Sequence, residues 1–164
     1  MIRDLQVGYG VFQKMDQGSA VLRPQMLVNV GDVHIFVQML PVDAEEKGQS
    51  YEVLKLKYFG ATGSSEEFEY HVNQMQNGNR EITIGRSPDC DIYISDKLLS
   101  KIQCHIKCEF DSQNYNNYQW IIYDGKKGQP STNSTWLYIS KDTHLQDGFT
   151  FKVNQTAFKC SIQS

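Results

Sequence analysis

The sequence lacks any run of 18 apolar residues, so no segment reads as a membrane-spanning helix. Its first residues, Met1 Ile2 Arg3 Asp4, carry neither the apolar stretch nor the cleavage site of a secretory signal, and an intracellular location, cytoplasmic or nuclear, is expected. An excess of positive charge is missing too. The formal net charge is -3, which gives no electrostatic case for nucleic acid as a partner. The four cysteines, Cys90, Cys104, Cys108 and Cys160, contain no Cys-x-x-Cys pair, and each lies in or beside an alternating apolar run. They are expected as free thiols packed like small hydrophobes. Cys104 and Cys108 would share the inward face of one strand, which argues against a zinc site there, and no metal or other cofactor is expected. The histidines His34, His71, His105 and His144 are scattered, and no nucleophile, base and orienting acid fall at a workable spacing. Asp89 and Asp91 flank a cysteine without the calcium-loop pattern. The chain is therefore not expected to be an enzyme. No segment carries a sustained helical stripe, either.

What is present is alternation. Cys104, Ile106, Cys108 and Phe110 point one way while His105, Lys107 and Glu109 point the other, and Phe158, Cys160 and Ile162 repeat the beat. Glu81 to Gly85 and Tyr118 to Tyr123 read as strands, Val53 to Tyr58 and Phe68 to Val72 as weaker ones. Between them lie turn-formers: Asn77 Gly78 Asn79, Ser87 Pro88 Asp89, Asp124 Gly125 and Asp147 Gly148. Short strands with frequent turns predict an all-β fold, a two-sheet antiparallel β-sandwich. Residues 51–164 form its domain, residues 40–50, polar and charged, read as a linker, and residues 1–39 as a β-rich appendage.

The appendage resembles the end of the chain. At an offset of 123, Leu22 to Leu40 follows Leu145 to Gln163 without a gap, and with one residue of slip Tyr9 Gly10 Val11 Phe12 falls on Asn133 Ser134 Thr135 Trp136. This is the pattern of an internal repeat whose first copy has only its back half. The apolar residues Leu27, Val28, Val30, Val33, Ile35, Val37 and Met39 need cover, by packing on the main domain, by self-association or by polypeptide from a larger protein.

Three pieces carry the functional reading. Ile84 Gly85 Arg86 Ser87 Pro88 Asp89 is a strand end and tight loop, Leu99 Ser100 Lys101 Ile102 Gln103 Cys104 a loop entering a strand, and Ser131 Thr132 Asn133 Ser134 Thr135 Trp136 a small-polar loop before another. Guanidinium, hydroxyl and ammonium groups on loops held by a sheet are the ingredients of a phosphate site. In this order, with 14 residues from Arg86 to Ser100 and 33 from Ser100 to Asn133, they resemble the forkhead-associated (FHA) domain family over about residues 51–162. The Leu145-x-Asp147-Gly148 turn and the strand pair after it belong to the same resemblance.

That resemblance implies an FHA-like sandwich that binds a phosphothreonine-containing partner protein. Arg86, Ser100, Lys101, Thr132 and Asn133 would hold the phosphopeptide, with Arg86 and Ser100 nearest the phosphate, Asn133 on the peptide backbone, and Gly85 and Gln103 supporting the site. Three residues depart from the family: Gln103 where it has a buttressing histidine, Ser134 where it has glycine, and Tyr138 where it has a second asparagine. They motivate the alternative of a structural or assembly domain without phosphate-dependent binding. Among the rest, His105 is expected to be solvated on its strand's outward face, Trp120, Trp136 and Tyr123 to be core, Lys126, Lys127 and Lys141 to lie near the binding end, and Ser64 Ser65 Glu66 Glu67 to form an acidic loop.

Overall fold

A computed structural model of the protein describes residues 1–5, 10–15, 18–43, 50–60, 63–75, 80–110 and 118–163. Its strands are β1 (Val11–Lys14), β2 (Ser19–Val21), β3 (Leu27–Val30), β4 (Val33–Asp43), β5 (Ser50–Phe59), β6 (Ser65–His71), β7 (Ile82–Gly85), β8 (Ile92–Tyr93), β9 (Cys104–Phe110), β10 (Tyr118–Asp124), β11 (Trp136–Tyr138), β12 (Thr150–Val153) and β13 (Thr156–Lys159). A single helical turn, α1 (Val72–Met75), follows β6. The expected turn at Asn77 Gly78 Asn79 lies outside the described residues. Ser65 to Glu67 are strand, not loop.

The strands form an eight-stranded sheet, in the order β13-β12-β1-β11-β3-β4-β5-β6, and a five-stranded sheet, in the order β2-β10-β9-β7-β8. Every pairing is antiparallel except that of β7 with β8. Alternation decides which side chains meet between the sheets. Val28, Val30, Ile35, Val37, Leu54 and Leu56 come from one, Ile82, Ile84, Ile106, Trp120 and Ile122 from the other, and all are essentially inaccessible. Each such aliphatic side chain contributes roughly 1.5–3 kcal/mol relative to exposure. The four cysteines are free, with Cys90 and Cys104 buried. Burial, reinforced by Asp124, pushes the Cys104 thiol well above the ordinary cysteine range, which makes it inert.

The strands of the N-terminal segment, β1 to β4, do not hang on the outside of this sandwich. β1 lies between β12 and β11, β3 and β4 lie between β11 and β5, and β2 forms an edge of the smaller sheet against β10. The stretch read as a linker belongs to a hairpin: β4 and β5 pair from His34↔Phe59 to Asp43↔Ser50, and residues 44–49 lie outside the described residues. The strand pair expected to close the main domain, β12–β13, reaches the rest of the sheet only through β1, because β3–β4 already occupies the other edge of β11.

The repeat offset recurs in the register. β3–β4 pairs Leu27↔Phe36, Val28↔Ile35, Asn29↔His34 and Val30↔Val33, and β12–β13 pairs Thr150↔Lys159, Phe151↔Phe158, Lys152↔Ala157 and Val153↔Thr156. At the centre β1 and β11 pair symmetrically about Gln13↔Leu137. Met15 N donates to Thr135 O while Ile139 N donates to Val11 O, and Val37 N to Met26 O as Cys160 N to Phe149 O. Backbones of positive φ coincide as well: Gln25 with Gly148, Gly31 with Asn154, and Gly10 with Ser134. A local two-fold axis normal to the larger sheet, passing between β1 and β11, therefore relates the two hairpins.

On the sheet's outer face two of these equivalents touch. The Lys152 ammonium donates to Asn29 Oδ1 and stands 4.9 Å from the centroid of the Trp136 ring. Burial holds the Lys152 amine below the usual lysine range. Asn29 Nδ2 donates to Val33 O at 3.2 Å and lies 3.3 Å from His34 Nε2, which accepts when the ring is neutral. Burial first, then the Lys152 charge, lowers the His34 pKa below 6.5 against a smaller opposing effect of Asp32. A folded-state value below the unfolded one means that the unfolded chain takes up the proton first. The contribution of neutral His34 is thus complete above pH 6.5 and is lost as the pH falls through 6.5 toward the folded value. The urea midpoint is expected to drop between pH 7 and pH 5, and His34→Gln to flatten that drop. Equal slopes in the two proteins would exclude His34 as its source. Glu69 and Glu81, both held below 4.5 by lysine partners, act at lower pH.

Candidate loop-end binding site

The site is built where β7 ends. Gly85 lets the chain leave the sheet directly beneath the next loop: Arg86 N donates to Ser100 O (3.1 Å), Ser87 N to Lys101 O (3.1 Å) and Gln103 N to Ile84 O (2.8 Å). A Cβ at position 85 would lie 2.3 Å from Lys101 O, so only glycine tolerates this crossing. The Asp91 carboxylate receives both Thr83 N and Thr83 Oγ1 at 2.8 Å, and Cys90 Sγ donates to Lys101 O at 3.3 Å, which pins the Arg86–Asp91 loop from its far side.

Gln103 ties two loops together. Its side chain is fully buried. Oε1 accepts from Ser100 N (3.0 Å), and Nε2 donates to Ser131 Oγ (2.8 Å) and Ser134 O (3.0 Å). The amide that stands at this position in place of a histidine buttresses the loop, since it both donates and accepts. Ser134 takes the left-handed conformation, φ 61°, in place of glycine. Tyr138 points away from the site, its ring edge-on to Phe12 on the sheet's outer face and its hydroxyl bonded to Asp4.

Sequence reasoning missed Asp124. Its carboxylate accepts from Ser131 N (3.1 Å), Ser131 Oγ (2.6 Å) and Thr135 Oγ1 (2.7 Å), and so shapes the Ser131–Thr135 loop. The available signal was the Asp124 Gly125 turn directly after a strand. His105, expected in solvent, is buried: Gly125 O lies 2.8 Å from its Nδ1 and the Tyr123 ring stacks on it at 5.1 Å. Trp120 is core, whereas Trp136 is covered on the outer face and Tyr123 bonds Glu109 at the surface. Lys126, Lys127 and Lys141 are exposed.

Of the residues singled out from sequence, Ser100 and Thr132 meet. Thr132 N donates to Ser100 Oγ at 2.9 Å, and the two hydroxyls are 3.3 Å apart. Asn133 Nδ2 donates to Leu98 O at 2.6 Å, joining its loop to the one that carries Ser100. Arg86 and Lys101 flank this contact on the backbone-linked loops; both are exposed, and neither has an ion pair among the described residues. Beside the Leu98 contact lies a hollow of about 600 Å³ lined by Asp32, Tyr58, Ile94, Asp96 and Leu98. No group of three or more His, Cys, Asp or Glu side chains among the described residues is placed to hold a metal ion, and no described helix is long and apolar enough to cross a membrane.

The FHA domain family model matches residues 82–154, from the first strand of the site, β7, through β12. Comparison with curated proteins and with solved structures finds no match. Gly85, Arg86, Ser100, Lys101, Gln103, Thr132 and Asn133 all fall inside the matched span. Residues 82–154 of this almost all-β, two-sheet chain carry an FHA-domain-like fold, that of a family of non-catalytic interaction modules.

Proposed function

We propose that the protein binds phosphothreonine in a partner protein through the loops of Arg86, Ser100, Lys101, Thr132 and Asn133. One observation carries this reading: two exposed cations, without ion-pair partners among the described residues, sit on the same loops as two hydroxyls that already share a hydrogen bond, and these loops are bonded to one another. A phosphate arriving there finds positive charge from Arg86 and Lys101 and hydroxyl donors from Ser100 and Thr132. Guanidinium and phosphate suit each other through paired, parallel hydrogen bonds. Gln103 and Asp124 hold these groups in place from below, so little ordering accompanies binding. Asn133, with its Nδ2 on Leu98 O, keeps its carbonyl oxygen for the peptide backbone.

Arg86→Ala is expected to weaken binding by about 1.5–3 kcal/mol, roughly tenfold to more than a hundredfold. The thermal midpoint should not move, since Arg86 is exposed and has no ion pair among the described residues. The measurement is titration against a degenerate phosphothreonine peptide library and its unphosphorylated copy. Equal binding of the two by the folded protein would sink the proposal. A second reading, an assembly domain that ignores phosphate, draws on the inward hydrogen bonds of Ser100, Thr132 and Asn133. It predicts partner association indifferent to Arg86→Ala.

A further inference from the structure

The eight-stranded sheet ends differently on its two sides. β4 is paired along its outer edge by β5, and β5 by β6, whereas β13 is the last strand on its side among the described residues. The local two-fold makes these edges equivalent. On β3–β4, the side chains facing the smaller sheet, Val28, Val30, Ile35 and Val37, are at most 2% exposed. Their counterparts are Phe151, Val153, Phe158 and Cys160, of which Val153 and Phe158 are 41% and 46% exposed. Phe158 stacks on Phe151 at 5.1 Å and Phe151 lies 6.3 Å from the buried Phe149, so a short aromatic ladder runs from the core to an exposed end at Phe158. All four residues of β13 are exposed. This edge has no proline, and its protection comes down to its shortness and the single charge of Lys159.

We infer that β13 is a strand-addition site for a separate polypeptide, which pairs antiparallel with Ala157–Cys160 and lays apolar residues over Phe151 and Phe158. The occupant's chemistry follows from the related edge. There, β5 sets Tyr58 opposite Ile35 and Leu56 opposite Val37, so the incoming strand needs apolar residues at alternate positions opposite Phe158 and Cys160. Main-chain hydrogen bonds along β13 supply affinity, and the alternate side chains supply selectivity. A second copy of this chain is a poor fit. Edge-to-edge β13 pairing would lengthen the sheet and leave both aromatic faces bare. The site is distinct from the loop end and independent of phosphate.

The test is NMR titration of the full chain with a synthetic peptide of residues 53–71, the β5–β6 sequence supplied in trans, and with a scrambled copy that destroys its alternation. Saturable binding with exchange protection gained at the Ala157 and Lys159 amides, which point away from β12, and none from the scrambled peptide, is expected. Phe158→Asp should weaken peptide binding about tenfold or more, the equivalent of one buried aromatic contact, with Val153→Asp as a second variant. Arg86-dependent phosphopeptide binding should be unchanged in both. Absence of saturable binding, affinity in Phe158→Asp and Val153→Asp equal to that of the unchanged chain, or Ala157 and Lys159 amides protected by dimerisation without peptide would each overturn the inference.

Discussion

Gln103→Leu is expected to lose about 3 kcal/mol of stability and most of the phosphopeptide affinity together. The substitution keeps the volume nearly constant, so no cavity term enters. What goes is the amide. Ser100 N loses its acceptor, and Ser131 Oγ and Ser134 O lose their donor. Each buried polar group left without a partner costs about 1–3 kcal/mol. Ser131 is buried and still has Asp124, whereas Ser100 and Ser134 are partly accessible and recover some bonding from water. A total near the low end for each group gives about 3 kcal/mol, or a thermal midpoint lower by about 6–12 °C for a chain of this size. The affinity falls for another reason: Ser100 and the Ser131–Ser134 loop are then no longer referenced to the same side chain. Urea unfolding and peptide titration measure the two losses. A change below about 1 kcal/mol would mean that the three groups re-pair locally, and the buttress role of Gln103 would fail.

How much of this was legible in the sequence depends on the range over which each feature is decided. β9 is found residue for residue, because Cys104, Ile106, Cys108 and Phe110 against His105, Lys107 and Glu109 leave one side to bury. The loop set was legible because its order and spacing reproduce a family pattern. The place of residues 1–39 was not. Nothing local in Val11–Lys14 says that its neighbours are β11 and β12, since a strand's partners are fixed by register with distant segments. Residues 40–50 read as a linker because polar strand ends, here those of β4 up to Asp43 and of β5 from Ser50, have the composition of a polar linker. The expectation for His105 failed, and Lys152, of which the sequence suggested nothing, is covered in the same way. Each lies on an outward strand face, and each is covered by something alternation does not report, the Gly125 turn in one case and Trp136 with Asn29 in the other. Asp124 was legible only as a turn former, because its bonds run to a loop on the far side of that turn.

Gly85→Ala is expected to be at least as damaging, and by a different route. The added methyl would meet the Lys101 carbonyl oxygen at 2.3 Å and the Gln103 amide nitrogen at 3.0 Å, both of them backbone, so no side-chain rotation relieves the overlap. Either β7 or the Ser100–Gln103 loop has to move by the order of an ångström. Overpacking of this kind costs about 1–3 kcal/mol, and here it acts on a seam closed by Arg86 N to Ser100 O, Ser87 N to Lys101 O and Gln103 N to Ile84 O. Stretching that seam displaces Arg86 from Ser100, the separation on which the proposed joint recognition of a phosphate depends. The expected result is a stability loss of about 3 kcal/mol and phosphopeptide binding weakened beyond that of Arg86→Ala, since both cations and the Ser100 hydroxyl shift at once. Position 85 has ordinary backbone torsions, so Gly85→Ala carries no conformational strain of its own, and the whole effect reports the crossing. Gly128→Ala is the control that separates clash from backbone conformation. Gly128 sits at φ 78° with nothing within reach of an added Cβ, so its substitution strains the backbone without overlap and leaves the seam intact. Gly128→Ala should therefore leave phosphopeptide affinity unchanged, and equal affinities for the two variants would show that the seam does not position Arg86.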